Sequence, residues 1–367
     1  MAAFLNWRQS RLIIQPSPFD FRILTKTRVN NMTLSDLEHF KNLLLEREEN
    51  LNEWLDAPVV ASQDDIGKVQ SLLVEIKEAL GRVENKNFGT CDVCKGDIEL
   101  YRLEVQPVTE ICLGCITPEE RAQLEDELYL ASKIHRALLP QAVEKVEGHD
   151  IAVKSLAARF VGGDYYDLLP ASGNGLSRLI IADSMGKGLP ASLLMSNVQG
   201  ALRILAEEIP SPSKLISRLN QWLCRNVPVT KFISLACIAL EPQLERRSQV
   251  TYTNAGHCPA ILVRNDGQVE FLGPTGGVIG VHEGFTYEEK SLSFSKGDLI
   301  VLYTDGVIEA SNSREEHFGE KRLIDFAVDF KDSPLDGFLD NLRAEVQSFS
   351  GRPEFEDDFT VIALRKL

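Results

Sequence analysis

The sequence predicts an α+β protein: a helical N-terminal part followed by a mixed α and β domain. Three observations carry this expectation. Residues 32–139 hold apolar side chains at helical spacing, interrupted by two Cys-x-x-Cys pairs. From about Val146 the texture changes to short β-rich runs, many of them separated by glycine-containing turns, with helical segments between them. At 367 residues the chain is long enough for two or three domains with at least one sizeable core.

Residues 1–31 differ from the rest of the chain. They carry five basic residues (Arg8, Arg11, Arg22, Lys26, Arg28) against one acid, Asp20, whereas the whole chain has a net charge of −15. They show no clean period and contain Pro16 and Pro18. Their apolar pieces are too short for a secretory signal core. A disordered leader is expected here, one that contributes nothing to the structure and is of the kind an upstream start chosen in error would give. The alternative is a flexible arm drawn to the acidic remainder of the chain.

A helical hairpin is expected over 32–88. Leu34, Leu37, Phe40, Leu44, Leu51 and Leu55 repeat at helical spacing after a Thr33 or Ser35 cap, and Pro58 breaks the run. Ile66, Val69, Leu72, Leu73, Ile76, Leu80 and Val83 form the second helix. The cysteine pairs occupy 89–118. A linker-helix segment is expected over 119–145, its helical stretch running from Thr117 to Leu139, capped by Thr117, with Pro118 at its first position and Pro140 as its stop. Residues 146–367 form the mixed domain. Its strands are expected at Arg178–Ala182, Ser234–Leu240, Gln249–Tyr252, Ala260–Val263, Asp298–Tyr303 and Phe359–Leu364, and its helices at 190–209, 213–226 and 321–347.

Composition excludes several classes of function. A content of 44% hydrophobic and 25% charged residues is ordinary for a soluble globular protein. No stretch approaches the ~20 apolar residues needed to cross a bilayer, so no membrane association is expected. The acidic balance argues against general nucleic-acid binding, which needs concentrated Lys and Arg. Seven cysteines, four of them in metal-type pairs, point to a reducing compartment and hence a cytoplasmic protein.

Cys91, Cys94, Cys112 and Cys115 have the spacing of a four-cysteine zinc site. Two thiolates on each tight knuckle face one ion and complete a tetrahedron, so one structural Zn²⁺ with no open position is expected. The run Phe88-Gly89-Thr90-Cys91-Asp92-Val93-Cys94, with Ile98, Arg102-Leu103, Pro107 and the second pair, resembles the DksA/TraR zinc-finger family over about residues 32–118. That resemblance implies a coiled-coil hairpin whose acidic tip enters the secondary channel of bacterial RNA polymerase. Here the tip falls at Ala57–Asp65, where Asp64 and Asp65 are the only acids, and the family's tip pattern is not reproduced. A zinc-pinned module that positions or dimerises its neighbour is the simpler reading.

The C-terminal domain holds four aspartate motifs: Gly162–Asp167, Ala182–Gly188, Tyr303–Val307 and Asp357–Thr360. Asp183 and Asp305 directly follow apolar strands, and Asp357 and Asp358 directly precede one. Carboxylate and carbonyl oxygens suit Mg²⁺ or Mn²⁺, and glycines beside the acids leave room for an ion and its waters. Each motif alone is an ordinary turn; the ordered set carries the signal. Together with Asn254-Ala255-Gly256-His257-Cys258-Pro259, it resembles the PPM phosphatases, in their bacterial SpoIIE/RsbU branch, over about residues 140–367.

The PPM resemblance implies a β-sandwich flanked by helices, which hydrolyses phosphoserine or phosphothreonine in a protein by a water activated between two Mg²⁺ or Mn²⁺ ions. By matching positions, Asp183 bridges the ions and Ser184 contributes its backbone carbonyl. Asp164 lies on one ion and Asp305 and Asp357 on the other, with Asp358 substituting for or assisting Asp357. Asp167 and Asp358 are each more simply read as hydrogen-bonding turn residues than as direct ligands, and His257 as a residue that orders backbone. Lys187 and Arg159 are cations able to meet phosphate. The stretch Glu125–Pro140 resembles the linker helix of RsbU-type proteins, with Leu128, Ala131, Ile134 and Leu138 on one face. That implies a homodimer contact and a route for an upstream regulator. The implied substrate is a phosphorylated anti-sigma-factor antagonist. The alternative is an RNA-polymerase-binding transcription modulator whose large domain acts as a sensor.

Overall fold

The computed structural model of the protein describes residues 34–56, 63–140, 146–172, 176–186, 188–227, 231–240 and 247–367. The leader at 1–31, most of the hairpin tip and Lys187 lie outside these residues. The chain divides into two compact units, one ending at Glu127 and the other running from Leu128 to the C-terminus.

The first unit contains α1 (Leu34–Asp56), α2 (Gln63–Glu84), the short α3 (Leu100–Val105) and the start of α4 (Pro118–Leu138). Phe40 and Leu44 of α1 pack with Ile76 and Ala79 of α2 and with Phe88, Ile98 and Leu103 of the cysteine segment. Hairpin and finger therefore share one core, and the rings of Phe40 and Phe88 lie 5.4 Å apart. The apolar stripe of α2 is narrower than the sequence implies. Ile66 and Leu72 are exposed, and the buried line runs through Leu73, Ile76 and Ala79. Leu72 sits about 100° around the helix from Leu73, so a single partner helix cannot cover both. At the start of α4, Thr117 and Glu120 form a reciprocal capping box: the Thr117 N–H donates to Glu120 Oε2 at 2.9 Å and the Glu120 N–H donates to Thr117 Oγ1 at 3.2 Å.

The second unit is a sandwich of two five-stranded antiparallel sheets. One has the order β1-β10-β9-β6-β7, formed by His149–Leu156, Phe359–Lys366, Leu299–Tyr303, Ala260–Val263 and Val269–Leu272. The other has the order β2-β3-β4-β5-β8, formed by Asp164–Ser172, Leu176–Ser184, Ile233–Leu240, Arg247–Ala255 and Lys290–Ser295. Side chains alternate between the faces of each strand. Tyr166, Leu168, Ile181 and Ile238 of one sheet meet Leu262, Ile300, Leu302 and Ile362 of the other between the sheets. Their neighbours Tyr165, Ile180 and Leu235 point outward onto α5 (Leu189–Glu208) and α6 (Pro212–Asn226). On the opposite outer face, Val301, Tyr303 and Val361 pack under α7 (Asp305–Ile308), α8 (Gly319–Asp329) and α9 (Leu335–Ser350). The result is four layers, helices–sheet–sheet–helices, with both faces of each sheet buried.

Two sequence expectations need correction. The single helix expected over 321–347 is two, α8 and α9, because Pro334 lacks an N–H and disfavours helical backbone at Ser333. Asp167, read as a turn residue, is a buried position within β2. Its Oδ2 accepts from the Tyr165 hydroxyl at 2.6 Å and from Arg203 Nε at 2.9 Å, tying β2 to α5. Replacing Asp167 with alanine strands the Tyr165 hydroxyl on a residue only 1% exposed. The expected cost is about 2–3 kcal/mol, read as a lower urea midpoint at unchanged slope.

Candidate functional site

The acidic motifs converge at one end of the sandwich because strand pairing brings them there. Asp164 opens β2 and Asp183 lies near the end of β3, and the antiparallel register sets them opposite each other. In the other sheet β9 ends at Tyr303, and Asp305 opens α7 two residues later. Asp357 and Asp358 precede β10, the strand paired with β9, and the Thr304 N–H donates to the Thr360 carbonyl at 3.0 Å. Thr304 helps to join the two sheets here: its Oγ1 donates to Asp164 Oδ2 at 2.8 Å. The sequence reading missed Thr304, whose only signal was a hydroxyl at a strand end beside an aspartate.

Close approach dictates two of the glycines. A Cβ on Gly306 would run into the Asp358 carbonyl oxygen, and one on Gly162 would press on the Asp358 carboxylate. Asp358 itself is engaged by backbone: Oδ1 accepts from the Ala158 N–H at 2.8 Å and Oδ2 from the Gly163 N–H at 2.6 Å. Asp357 Oδ1 accepts from the Asp358 N–H at 2.9 Å. Ser184 is buried, and its N–H donates to the Gly163 carbonyl at 3.3 Å.

These carboxyl groups strain against one another. Burial, followed by the charges of Asp358 and Asp183, holds Asp164 well above the usual carboxylate range. Burial, then the charges of Asp305, Asp357 and Asp358, pushes Asp183 up to about 7. Asp358 is also raised by burial, against the opposing pull of its backbone donors. Removing carboxylates from water without a counter-charge is costly, so a buried group of this composition calls for cations. The residues present therefore fit hard divalent ions. The aspartate oxygens are more widely spread than ligands gathered around a single ion. Among the described residues, the cysteine sulfurs form the one group of three or more candidate ligand atoms lying within 4.8 Å of one another.

His257 is buried beside this site. Its N–H donates to Asn254 Oδ1 at 2.8 Å, its Nδ1 shares a 2.8 Å hydrogen bond with Ser234 Oγ, and burial lowers its pKa to about 4. Its backbone N–H, held by Asn254, orders the turn, and its ring ties the turn to β4. Arg159 lies near Gly188, and the Lys231 amine, which the sequence reading did not single out, lies near Gly186.

In the first unit the four thiols form a compact cluster. The Cys112 N–H points to Cys91 Sγ at 3.3 Å and the Gly96 N–H to Cys94 Sγ at 3.4 Å. Cys94 and Cys112 sulfurs are 3.6 Å apart. Zn–S bonds of ~2.3 Å at tetrahedral angles would set sulfurs ~3.8 Å apart, so the cluster has the dimensions of a zinc site. Burial opposes ionisation of Cys91, but backbone donors from Cys94, Cys112 and Val93 outweigh it and lower the thiol to about 6. Burial and the neighbouring thiols push Cys112 up to about 12. One acidic thiol, Cys91, beside two raised ones, Cys112 and Cys115, around one point is the pattern of a ligand set for a cation.

Comparison with known proteins agrees with this geometry. The phosphoserine phosphatase RsbU of Bacillus subtilis is 29% identical over 248 residues, covering 66% of this chain and 71% of that protein. The solved structure of the RsbU and RsbW domains of a Mycobacterium tuberculosis protein superimposes with a TM-score of 0.53 at 27% identity, covering 61% of each chain. The N-terminal part is similar to the RNA polymerase-binding transcription factor DksA of Salmonella typhimurium, 26% identical over 112 residues, covering 24% of this chain and 74% of that protein. Residues 173–367 match the model of Stage II sporulation protein E, SpoIIE. The chain thus belongs to the SpoIIE family of PPM-type phosphatases and carries a DksA-like module in front of that domain.

Proposed function

We propose that this protein hydrolyses phosphoserine or phosphothreonine in a protein substrate, using two Mg²⁺ or Mn²⁺ ions at the aspartate site. The observation that carries the reading is the convergence of five buried or half-buried acids from both sheets, with Asp183 raised by burial and then by its neighbours to about 7. When bound, the ions supply a water acidic enough to be a nucleophile at neutral pH and a clamp on the phosphoryl oxygens. Asp183, between the other acids, would hold both ions. The Ser184 carbonyl and Asp164 would serve one, and Asp305 and Asp357 the other. Asp358, with both oxygens engaged by Ala158 and Gly163, holds the loop that carries Asp164 and assists from there. Thr304 orients Asp164.

RsbU similarity supports a phosphorylated anti-sigma-factor antagonist as substrate, acted on in the cytoplasm, with α4 as a dimer contact and a route for an upstream regulator. Among the described residues, no helix is long and apolar enough to cross a membrane. The four-cysteine cluster would hold one structural Zn²⁺. The test is phosphate release from a phosphoserine protein by the full chain, expected with Mn²⁺ and lost with chelator. No release with either ion would overturn the reading. The DksA similarity favours a second reading, in which the N-terminal module binds RNA polymerase. Polymerase co-purification that survives Asp305→Ala supports it.

A further inference from the structure

Within the second unit, the end of α4 lies against the loop that carries Asp164. From Leu128 onward its more buried stripe is Leu128, Ala131, Ser132, His135 and Leu138, while Tyr129, Leu130 and Ile134 are exposed. Ile134 lies outside this stripe, and its polar neighbour His135 lies within it. Three contacts fix this end of the helix. The Gln199 side-chain amide of α5 donates to the Leu138 carbonyl. The Tyr166 hydroxyl of β2 donates to the Pro140 carbonyl at 3.4 Å. Leu139 packs into the cores on both sides of the second sheet.

So anchored, α4 brings the His135 ring to the backbone of Gly162. The contact favours the protonated ring, as a carbonyl acceptor does, and it opposes the burial that pulls His135 down. An apolar residue would fill this stripe at lower desolvation cost. Gly162 is buried against the Asp358 carboxylate, the next N–H donates to Asp358 Oδ2 at 2.6 Å, and the residue after that is Asp164. A short line of contacts therefore runs from the His135 ring through Gly162 and Gly163 to Asp164 and Asp358.

We propose that His135 is a positioning residue for the divalent-cation site: its ring N–H donates to the Gly162 carbonyl and fixes the Gly162-Gly163-Asp164 turn in the geometry that binds the ion. The proposal rests on the two-ion reading of the aspartate site. Groups hydrogen-bonded directly to a metal ligand typically carry ~10–100-fold in metal affinity, and His135, which acts through the Gly162-Gly163 backbone, is placed at the lower end of that range.

The test is Mn²⁺ binding to the full chain, followed by the electron paramagnetic resonance of free Mn²⁺. His135→Leu keeps bulk and removes the donor, and His135→Gln keeps a donor. We expect about a tenfold loss of Mn²⁺ affinity in the leucine variant and near-wild-type affinity in the glutamine variant. Both should approach the wild-type kcat once Mn²⁺ is saturating. Unchanged affinity in the leucine variant, or equal losses in both, overturns the proposal. Should His135→Leu lose its fold, His135→Met serves as the second donor-free variant; loss of fold there too makes the role purely structural and ends the proposal. Asp183→Asn runs in parallel. If it binds Mn²⁺ as wild type does, the two-ion reading itself has failed, an outcome separate from the behaviour of the His135 variants.

Discussion

Asp183→Asn is expected to lose nearly all phosphatase activity while the protein stays folded. Asp183 is the acid on which the charges of Asp305, Asp357 and Asp358 all act, so it sits where an ion on either side would be shared. Asparagine keeps the shape and removes the charge that would hold two cations close together. The expected loss is at least ~10²-fold in kcat, the scale of deleting one preorganised electrostatic group. The fold should not suffer, because the substitution takes a negative charge out of a buried set of mutually repelling acids. Without added metal, the variant should melt no lower than wild type. The measurement pairs Mn²⁺-dependent phosphate release with thermal melting in chelator. Activity within about tenfold of wild type, with the ions still bound, would remove Asp183 from the bridging role.

The second large effect concerns the thiol cluster. Cys91→Ser combined with Cys112→Ser should abolish zinc binding and the order of the first unit together. Both cysteines are buried, and both belong to the core that contains Phe40, Leu44, Ile76 and Leu103. Structural zinc contributes about 10–16 kcal/mol in small finger domains. That is comparable to the whole stability of an ordinary domain, ~5–15 kcal/mol. A hairpin whose core is closed by the finger has little else to hold it. Metal analysis should find one zinc per chain in the wild type and none in the double variant. The helical circular-dichroism signal should fall by the share due to α1 and α2, while the sandwich still melts cooperatively. A zinc-free protein with full helical signal would show that the cluster is dispensable.

Several features were legible without coordinates because each is local. The Cys-x-x-Cys spacing fixes how many sulfurs face one point. The near-continuous apolar runs at Ser234–Leu240 and Phe359–Leu364 mark strands buried on both faces, and the run ending in Tyr303-Thr304-Asp305-Gly306 marks an acid at a strand end. Other features were hidden for equally physical reasons. β2 begins inside the Gly-Gly-Asp motif, so its first residues read as a turn, and its Tyr165 and Tyr166 serve two different cores. Asp167 looks like a surface acid until Arg203, 36 positions away, is found against it. Asp358 reads as a hydrogen-bonding turn residue, but its donors, two backbone N–H groups some 200 positions away, are not legible from the residues around it.

The sequence by itself determined the elements and the inventory: helices by their 3.6-residue period, strands by short β-rich runs between glycine-containing turns, and the residue types suited to hard and soft cations. Only the tertiary structure decided which atoms meet. It set Asp164 opposite Asp183 by strand register, tied Asp164 to the other sheet through Thr304, and brought His135 to Gly162. The physical reason is one of range. Periodicity and capping are written between residues a few positions apart, whereas register, burial and charge coupling arise when segments far apart in the chain exclude water from the same place.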